Sequence, residues 1–192
     1  MCAHLVLVRH SAVQVDTAVP TPNWQLSKDG RIRCQTLAAK LQPYPIDLFV
    51  TSHEPKAIET GQILAEVFGV PCQTAVGLQE HDRRGVPYFA NKTEFETAVA
   101  TFFAHPNELV FGAETAVQAR ERFGTAVQQQ LARHPQENLA IVAHGTVMTL
   151  FICQHNPQLD PLQFWRALTL PCAFVLSLPD YQLKQSIYLD GS

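Results

Sequence analysis

Two histidines follow short apolar runs of the chain and are the first candidates for chemistry. His10 comes directly after HLVLVR, which ends in Arg9, and His144 follows NLAIVA and precedes Gly145. A histidine ring can act as a nucleophile or carry a proton, and an arginine fork can hold a phosphate through two hydrogen bonds. A single histidine at a strand end is more often a structural residue. Two of them at equivalent strand ends favour a functional site.

The elements that would position these histidines are predicted from hydrophobic periodicity and from turn residues. Strands are predicted at 4–9, 47–52, 71–76 and 138–144, and as a terminal pair, AFVLSL and QLKQSIYL. Helices are predicted at 28–42, 55–68, about 115–134, 145–155 and 161–168. This alternation predicts an α/β fold, a three-layer sandwich whose mostly parallel sheet carries helices on both faces. Ligands bind at the carboxyl ends of such strands, so both histidines are expected at one edge of the sheet.

Residues 77–113 interrupt the alternation. They contain the loop HDRRGVPYFAN, a helix that a capping box of Thr93 and Glu96 would open, and the segment HPNELVFGAE. The stretch also holds six aromatic residues, which are Tyr88, Phe89, Phe95, Phe102, Phe103 and Phe111. We therefore predict one domain over residues 1–192 with a small inserted lid at about 77–113.

Composition and charge exclude several classes of protein. The 192 residues are 46% hydrophobic and 16% charged, which excludes disorder as the main state. The net charge of −3 gives no electrostatic footprint for nucleic acid or for an anionic membrane. Five cysteines without a CxxC pair fit neither a zinc site nor a disulfide framework, and no apolar window approaches the ~20 residues of a membrane span. The sequence thus predicts a cytoplasmic protein with reduced thiols and leaves its oligomeric state open.

Five blocks of the chain, in order, resemble those of the histidine phosphatase superfamily, also called phosphoglycerate mutase-like. The resemblance covers nearly the whole chain. The blocks are Arg9-His10-Ser11, Ser52-His53-Glu54-Pro55-Lys56-Ala57-Ile58-Glu59-Thr60, Leu78-Gln79-Glu80, Gly112-Ala113-Glu114-Thr115 and Val142-Ala143-His144-Gly145.

The resemblance implies a metal-free and cofactor-free reaction on a small phosphorylated metabolite. His10 would be the nucleophile that forms a phosphohistidine, with its other ring nitrogen held by a backbone carbonyl. His144 would stabilise charge on the phosphoryl oxygens, and Glu80 would protonate the leaving oxygen and then activate water. The expected phosphate pocket consists of Arg9, Ser11, Lys56, Gly145 and Thr146. Thr146 could also serve only as a helix cap.

Four residues after Glu80 or in the lid are candidate substrate contacts. These are His81, Arg83, Arg84 and Tyr88. The simpler alternatives are a loop cap for His81, a solvated loop for the two arginines, and packing for the tyrosine.

The chain departs from the family pattern at two positions. Lys56 stands where the family has arginine, so the charge is kept but the planar fork is lost. Either Lys56 binds phosphate as a point charge, or it is only a solvent-facing lysine on a helix, and Arg83 or Arg84 supplies the missing cation. Ser11 replaces the glycine of the family pattern. The serine would be strained if this position requires a positive φ, and it would be harmless if only its backbone N–H is needed.

The interpretation that these residues favour is a phosphomonoester hydrolase. One alternative is a phosphoglycerate mutase-type phosphotransferase. A second is a catalytically weak protein that binds a phosphorylated ligand, because of Ser11 and Lys56. A third is a metallohydrolase that uses His10, Glu80, Asp82 and His144, although their spacing matches no recognised metal-ligand pattern.

Overall fold

The computed structural model describes residues 4–86 and 88–189. Along the chain the strands are β1 (His4–Arg9), β2 (Leu48–Thr51), β3 (Cys72–Thr74), β4 (Leu139–Ala143), β5 (Cys172–Ser177) and β6 (Leu183–Tyr188). The α-helices are α1 (Lys28–Leu41), α2 (Pro55–Phe68), α3 (Lys92–Ala104), α4 (Ala116–Arg133), α5 (Gly145–His155) and α6 (Pro161–Arg166). A short 3-10 helix (Thr21–Asn23) lies before α1.

The six strands form one mixed sheet in the order β3-β2-β4-β1-β5-β6. The first four in that order are parallel, whereas β5 and β6 add two antiparallel strands at one edge. The α/β class is therefore confirmed, and so is the terminal pair of strands. β1 and β4 are direct neighbours, with Arg9 in register with Ala143.

Alternation along the central strands divides the core between the two faces of the sheet. In β1, Leu5 and Leu7 belong to the apolar cluster with α4 and α5, and Val6 and Val8 belong to the cluster with α1 and α2. Successive side chains of a strand point to opposite faces, so a strand that is apolar at every position requires a helix layer on each side. The three-layer arrangement follows from this pattern.

The helix boundaries follow the predicted caps, with one correction. The Ser27 hydroxyl caps α1 by accepting the N–H of Gly30 at 2.9 Å, and α2 begins at Pro55 and is capped at its C-terminus by Gly69 with φ 67°. The predicted capping box of Thr93 and Glu96 is wrong. Asn91 caps α3 instead, because its side chain accepts the N–H of Glu94 at 2.9 Å. Thr93 therefore lies inside the first turn of the helix.

The stretch between β3 and α4 packs its aromatic rings against the α4–α5 side of the core. Phe102 and Phe111 are buried there, and Phe95 contacts Trp165 of α6 with ring centroids 5.6 Å apart. Among the described residues, Cys34, Cys72, Cys153 and Cys172 are free thiols, while Cys2 lies outside that range. In the described ranges no helix has the length and apolar character needed to cross a membrane.

Candidate active site

His10 and His144 come together at the carboxyl edge of the sheet. Their ring centroids lie 5.2 Å apart, and the backbone N–H of His10 donates to the carbonyl of Ala143 at 3.0 Å. His10 immediately follows β1, and His144 is the residue that joins β4 to α5. The register of β1 with β4 thus brings together two residues that are far apart in sequence.

His10 is held in one tautomer. Its Nδ1 lies 2.8 Å from the carbonyl oxygen of Ser11. A carbonyl can only accept, so Nδ1 carries the proton and Nε2 keeps the lone pair. Burial, followed by the charges of His144, Arg9 and Lys56, holds the pKa of His10 well below its ordinary value. The ring is therefore neutral at pH 7, which is the state a nucleophile needs.

His144 is fully buried, with Nε2 lying 2.9 Å from the Ser52 hydroxyl and 3.3 Å from Oε1 of Glu54. Its Nδ1 is buried and has no partner among the described residues. Burial is the main cause that lowers the pKa of His144 to about 3, and Lys56 and two arginines act in the same direction. The ring is therefore neutral at pH 7, with Nε2 engaged and Nδ1 without a partner in the described structure.

Arg9 approaches α5 closely because of Gly145. Its Nη1 donates to the carbonyls of Leu168 at 3.1 Å and Thr169 at 3.4 Å. A Cβ atom on Gly145 would lie 3.1 Å from Arg9 Nε, which is tighter than ordinary packing. Nε is itself buried without a partner in the described part of the chain. Gly145 thus makes room for the guanidinium beside the two histidines.

Lys56 lies inside the pocket, although its place in a predicted helix was also consistent with a position on the surface. Its side chain is 5% exposed, and its ammonium contacts Oε2 of Glu54 at 2.5 Å and the carbonyl of Thr21 at 2.9 Å. The predicted alternative of a solvent-facing helix lysine is therefore wrong, because the first turn of α2 points this residue inward.

Glu54 and Ser52 are residues of the site that the sequence interpretation missed. The Glu54 carboxylate joins three elements, since it also accepts the N–H of Glu80 at 2.9 Å through Oε1. The signal that could have identified it is an acidic residue two positions before Lys56, in a block expected to bind phosphate. The Ser52 hydroxyl is the nearest hydrogen-bonding neighbour of the His144 ring.

Glu80 is a loop residue whose carboxylate lies against the N-terminal end of α5. Its carboxylate accepts the N–H groups of Thr146 at 3.1 Å, Val147 at 3.2 Å and His81 at 2.9 Å, and it lies 3.7 Å from Arg83. Burial alone would raise the pKa of Glu80, but the Arg83 charge and the backbone hydrogen bonds outweigh it and hold the pKa well below the ordinary value. The carboxylate is therefore ionised in this structure.

Arg122 of α4 holds the loop that carries Glu80. Its guanidinium donates to the carbonyls of Gly77 and Gln79, both at 2.9 Å, and of Glu80 at 3.2 Å. The same group pairs with Glu114 at 2.5 Å. A single cation therefore satisfies three carbonyls of a loop that has no helix or strand to fix it.

Two predicted phosphate contacts make other bonds here. The Ser11 hydroxyl donates to the carbonyl of Gly30 at 2.7 Å, so it is committed to α1 and not to a phosphate. Ser11 is not among the described residues with positive φ, and the glycine replacement is unstrained. Thr146 does not cap α5. Its backbone N–H donates to the Glu80 carboxylate, and its hydroxyl accepts a hydrogen bond from Arg83 at 3.0 Å.

The candidate substrate contacts separate into inner and outer residues. Arg83 is 25% exposed and its guanidinium lies over the rings of Phe95 at 4.9 Å and Phe111 at 5.4 Å. Arg84 is 84% exposed and pairs with Asp82 at 2.7 Å. Only the first of the two arginines therefore faces the pocket.

Of the other two candidates, His81 is engaged in packing and Tyr88 is mostly exposed. His81 is buried, with its ring centroid 4.1 Å from that of Phe102 and 4.9 Å from that of Phe111. Tyr88 is 64% exposed and its ring lies 6.2 Å from that of Trp24. Over residues 4–86 and 88–189, no group of three or more His, Cys, Asp or Glu side chains is arranged to hold a metal ion.

Comparison with known proteins places this site in a family. The model of the histidine phosphatase superfamily (branch 1) matches residues 5–182, and the chain belongs to this superfamily. No curated protein sequence matches the chain.

Several solved structures share the fold. A mycobacterial glucosyl-3-phosphoglycerate phosphatase is 19% identical, with 91% of this chain and 90% of that chain covered and a TM-score of 0.71. A phosphoserine phosphatase from Entamoeba histolytica, in complex with 3-phosphoglyceric acid, is 13% identical, with 97% and 98% covered and a TM-score of 0.74. A protein described as mycobacterial hydrolase 1 is 17% identical over the full length of both chains, with a TM-score of 0.76.

Proposed function

We propose that the chain is a phosphomonoester hydrolase that works through a covalent phosphohistidine on His10. The observation that carries this proposal is the state of the His10 ring. Nδ1 is bonded to the Ser11 carbonyl, and the ring is kept neutral between Arg9, Lys56 and His144. A neutral imidazole with a fixed tautomer is suited to attack phosphorus through Nε2.

In the first step, Nε2 of His10 forms a bond to phosphorus while the bond from phosphorus to the ester oxygen breaks. Arg9, Lys56 and Arg83 surround the position of the transferring group with positive charge, as their influence on the two histidines indicates. Such preorganised charge stabilises the phosphoryl oxygens without reorganisation during the reaction. Nδ1 of His144, for which the described structure provides no other partner, can donate to a phosphoryl oxygen once the bound dianion has raised the pKa of the ring.

Glu80 exchanges the proton in this proposal. The leaving oxygen takes a proton from Glu80, which later removes a proton from the water that attacks phosphorus and regenerates His10. Because the carboxylate is ionised here, it must first be protonated. A phosphate dianion bound beside it would raise its pKa by like-charge repulsion, which makes the protonated form accessible.

The expected substrate is a small phosphorylated metabolite. Structural relatives of this chain include phosphatases described as acting on phosphoserine and on glucosyl-3-phosphoglycerate. Those names justify a panel of small phosphate esters, and the hydrolase is preferred over a mutase because these relatives are named as phosphatases.

Release of inorganic phosphate from p-nitrophenyl phosphate, and then from a panel that includes phosphoserine and 3-phosphoglycerate, tests the proposal with His10→Ala as the blank. Stimulation by a bisphosphorylated sugar acid would favour the mutase. Loss of activity in a chelator would favour the metallohydrolase. Binding of the panel without turnover would leave the chain a phosphate-ligand binding protein.

A further inference from the structure

Glu54 places a negative charge in a pocket that otherwise attracts phosphate. The residue is 9% exposed, and its two oxygens contact the Lys56 ammonium, the Glu80 N–H and the His144 ring. A buried ion pair is weak evidence for stability, since apolar residues of similar size often serve as well. Its location between three groups of the site therefore calls for a role in that site.

The first consequence of Glu54 concerns the direction of Lys56. An ammonium has three N–H donors and no geometry of its own beyond the flexible stem. Two of the donors are directed to Glu54 Oε2 and to the Thr21 carbonyl, at 2.5 and 2.9 Å. One N–H then remains for a phosphoryl oxygen, in a direction that the two acceptors define. An arginine would carry such a geometry in its planar fork.

The second consequence concerns His144 and Glu80. Oε1 of Glu54 lies 3.3 Å from Nε2 of His144, on the nitrogen that also contacts Ser52. The same oxygen accepts the backbone N–H of Glu80 at 2.9 Å. One carboxylate thus fixes the ring that faces the phosphoryl group and the main chain of the proton-transfer residue.

We propose that Glu54 is a positioning residue that acts with Lys56 as a pair in place of a single arginine, and that aims the ammonium while holding His144 and Glu80. This proposal rests on the phosphatase function above. It predicts that removing the negative charge of Glu54 impairs catalysis, although the pocket becomes more positive.

The competing interpretation is electrostatic only. If Glu54 merely repels the substrate, its neutralisation should tighten the binding of every phosphate-like anion. If it positions the site, neutralisation should impair the state in which geometry matters most. Orthovanadate resembles the in-line transition state, whereas inorganic phosphate reports mainly on charge, so the two ligands separate the interpretations.

The test compares Glu54→Gln with Glu59→Gln. Glu59 of α2 is a matched control five residues after Glu54, because it also pairs with a cation, Arg31 at 2.5 Å, and accepts a backbone N–H, that of Leu26 at 3.1 Å. We expect Glu54→Gln to lower kcat and weaken orthovanadate binding by ~10- to 100-fold, the size of effect that misplacing a reacting group produces. Inorganic phosphate should bind as tightly as before or more tightly, and Glu59→Gln should leave all three values near those of the parent.

A double-mutant cycle with Lys56→Met distinguishes a pair from two independent residues. In the Lys56→Met background, Glu54→Gln should lower kcat and orthovanadate binding by clearly smaller factors than in the parent, because the ammonium that Glu54 aims is gone and only its contacts with His144 and Glu80 remain. Independent, multiplying effects would overturn the proposal, and so would unchanged or tighter orthovanadate binding in the single variant. If Glu54→Gln alone does not fold, the double variant is used instead, because it carries neither buried charge. Its kcat and orthovanadate binding are then compared with those of Lys56→Met.

Calorimetric binding of orthovanadate needs no turnover, so the two proposals fail in different ways. A parent that hydrolyses no ester of the panel refutes the phosphatase function. The cycle in orthovanadate affinity then still decides whether Glu54 and Lys56 act as a pair.

Discussion

Nδ1 of His10 lies 2.8 Å from the carbonyl oxygen of Ser11, the residue that follows it. The contact is short and local, so it depends only on how the chain turns after β1. It assigns the proton to Nδ1 and the lone pair to Nε2. The direction of every later step at this site depends on that assignment, because only the nitrogen with the lone pair can attack phosphorus.

Replacement of His10 by alanine should abolish turnover and leave the fold intact. His10 lies at a strand end, so its loss removes the proposed nucleophile without removing core packing. Rapid-quench labelling of the parent with radioactive substrate should give an acid-labile, base-stable adduct, which peptide mapping should assign to His10.

His53 supplies the control for this experiment. It is an exposed histidine in the same edge region, and His53→Ala should keep the activity of the parent. An active His10→Ala variant, or an adduct on another residue, would contradict the mechanism.

Replacement of Glu80 by glutamine should have an effect that depends on the leaving group. An ester oxygen with a high pKa requires protonation as it departs, whereas a nitrophenolate requires little. We expect phosphorylation of His10 to slow most with alkyl phosphates and least with p-nitrophenyl phosphate. Single-turnover rates across a series of esters measure this dependence, and an equal loss with every ester would exclude a proton-donor role.

Arg83 and Arg84 are adjacent in sequence and should differ in function. Arg83 donates to Thr146 and lies beside Glu80, while Arg84 is exposed and pairs with Asp82. Arg83→Ala should lower kcat/KM by ~10- to 100-fold, because it removes a charged contact from a partly desolvated site. Arg84→Ala should change it by less than about twofold, as surface substitutions do. Equal effects of the two substitutions would show that Arg83 does not act on the substrate.

For the replacement of Lys56 by arginine, the sequence and the structure predict opposite effects on activity. From the family pattern, arginine should retain or improve activity. In the structure, the side chain is buried and already paired with Glu54, which an arginine fork could bind through two hydrogen bonds. The larger side chain also overpacks the site, at a typical cost of ~1–3 kcal/mol. We therefore expect Lys56→Arg to lower kcat/KM, and a gain in activity would restore the sequence-based expectation.

The parts of the site that could be predicted are those set by strand ends and local turns. β1 and β4 are continuous apolar runs, and the residue after each run must lie at the edge of the sheet. Pro55 and Gly69 mark the ends of α2 because one fixes φ and the other tolerates the left-handed conformation. These features need no knowledge of distant contacts.

The parts that could not be predicted depend on which way a side chain turns. Nothing in a run of two arginines indicates that Arg83 faces inward and Arg84 outward. The role of Glu54 depends on three partners from other elements, and an isolated carboxylate in a loop reads as a surface residue. Tertiary packing decides both.

The last prediction concerns stability at low pH and His144. Burial keeps this ring neutral in the folded protein and lowers its pKa to about 3, whereas the unfolded chain has the ordinary value of 6.5. Between these two values the unfolded state binds more protons, so the free energy of unfolding must fall as the pH falls. For one such group the loss between pH 7 and pH 5 is about 1–2 kcal/mol. His144→Gln keeps a polar side chain that cannot be protonated, and it should lose less stability over the same interval. Urea unfolding of the parent and the variant at both pH values measures the difference. Equal losses in the parent and in His144→Gln would mean that folding does not lower the pKa of His144.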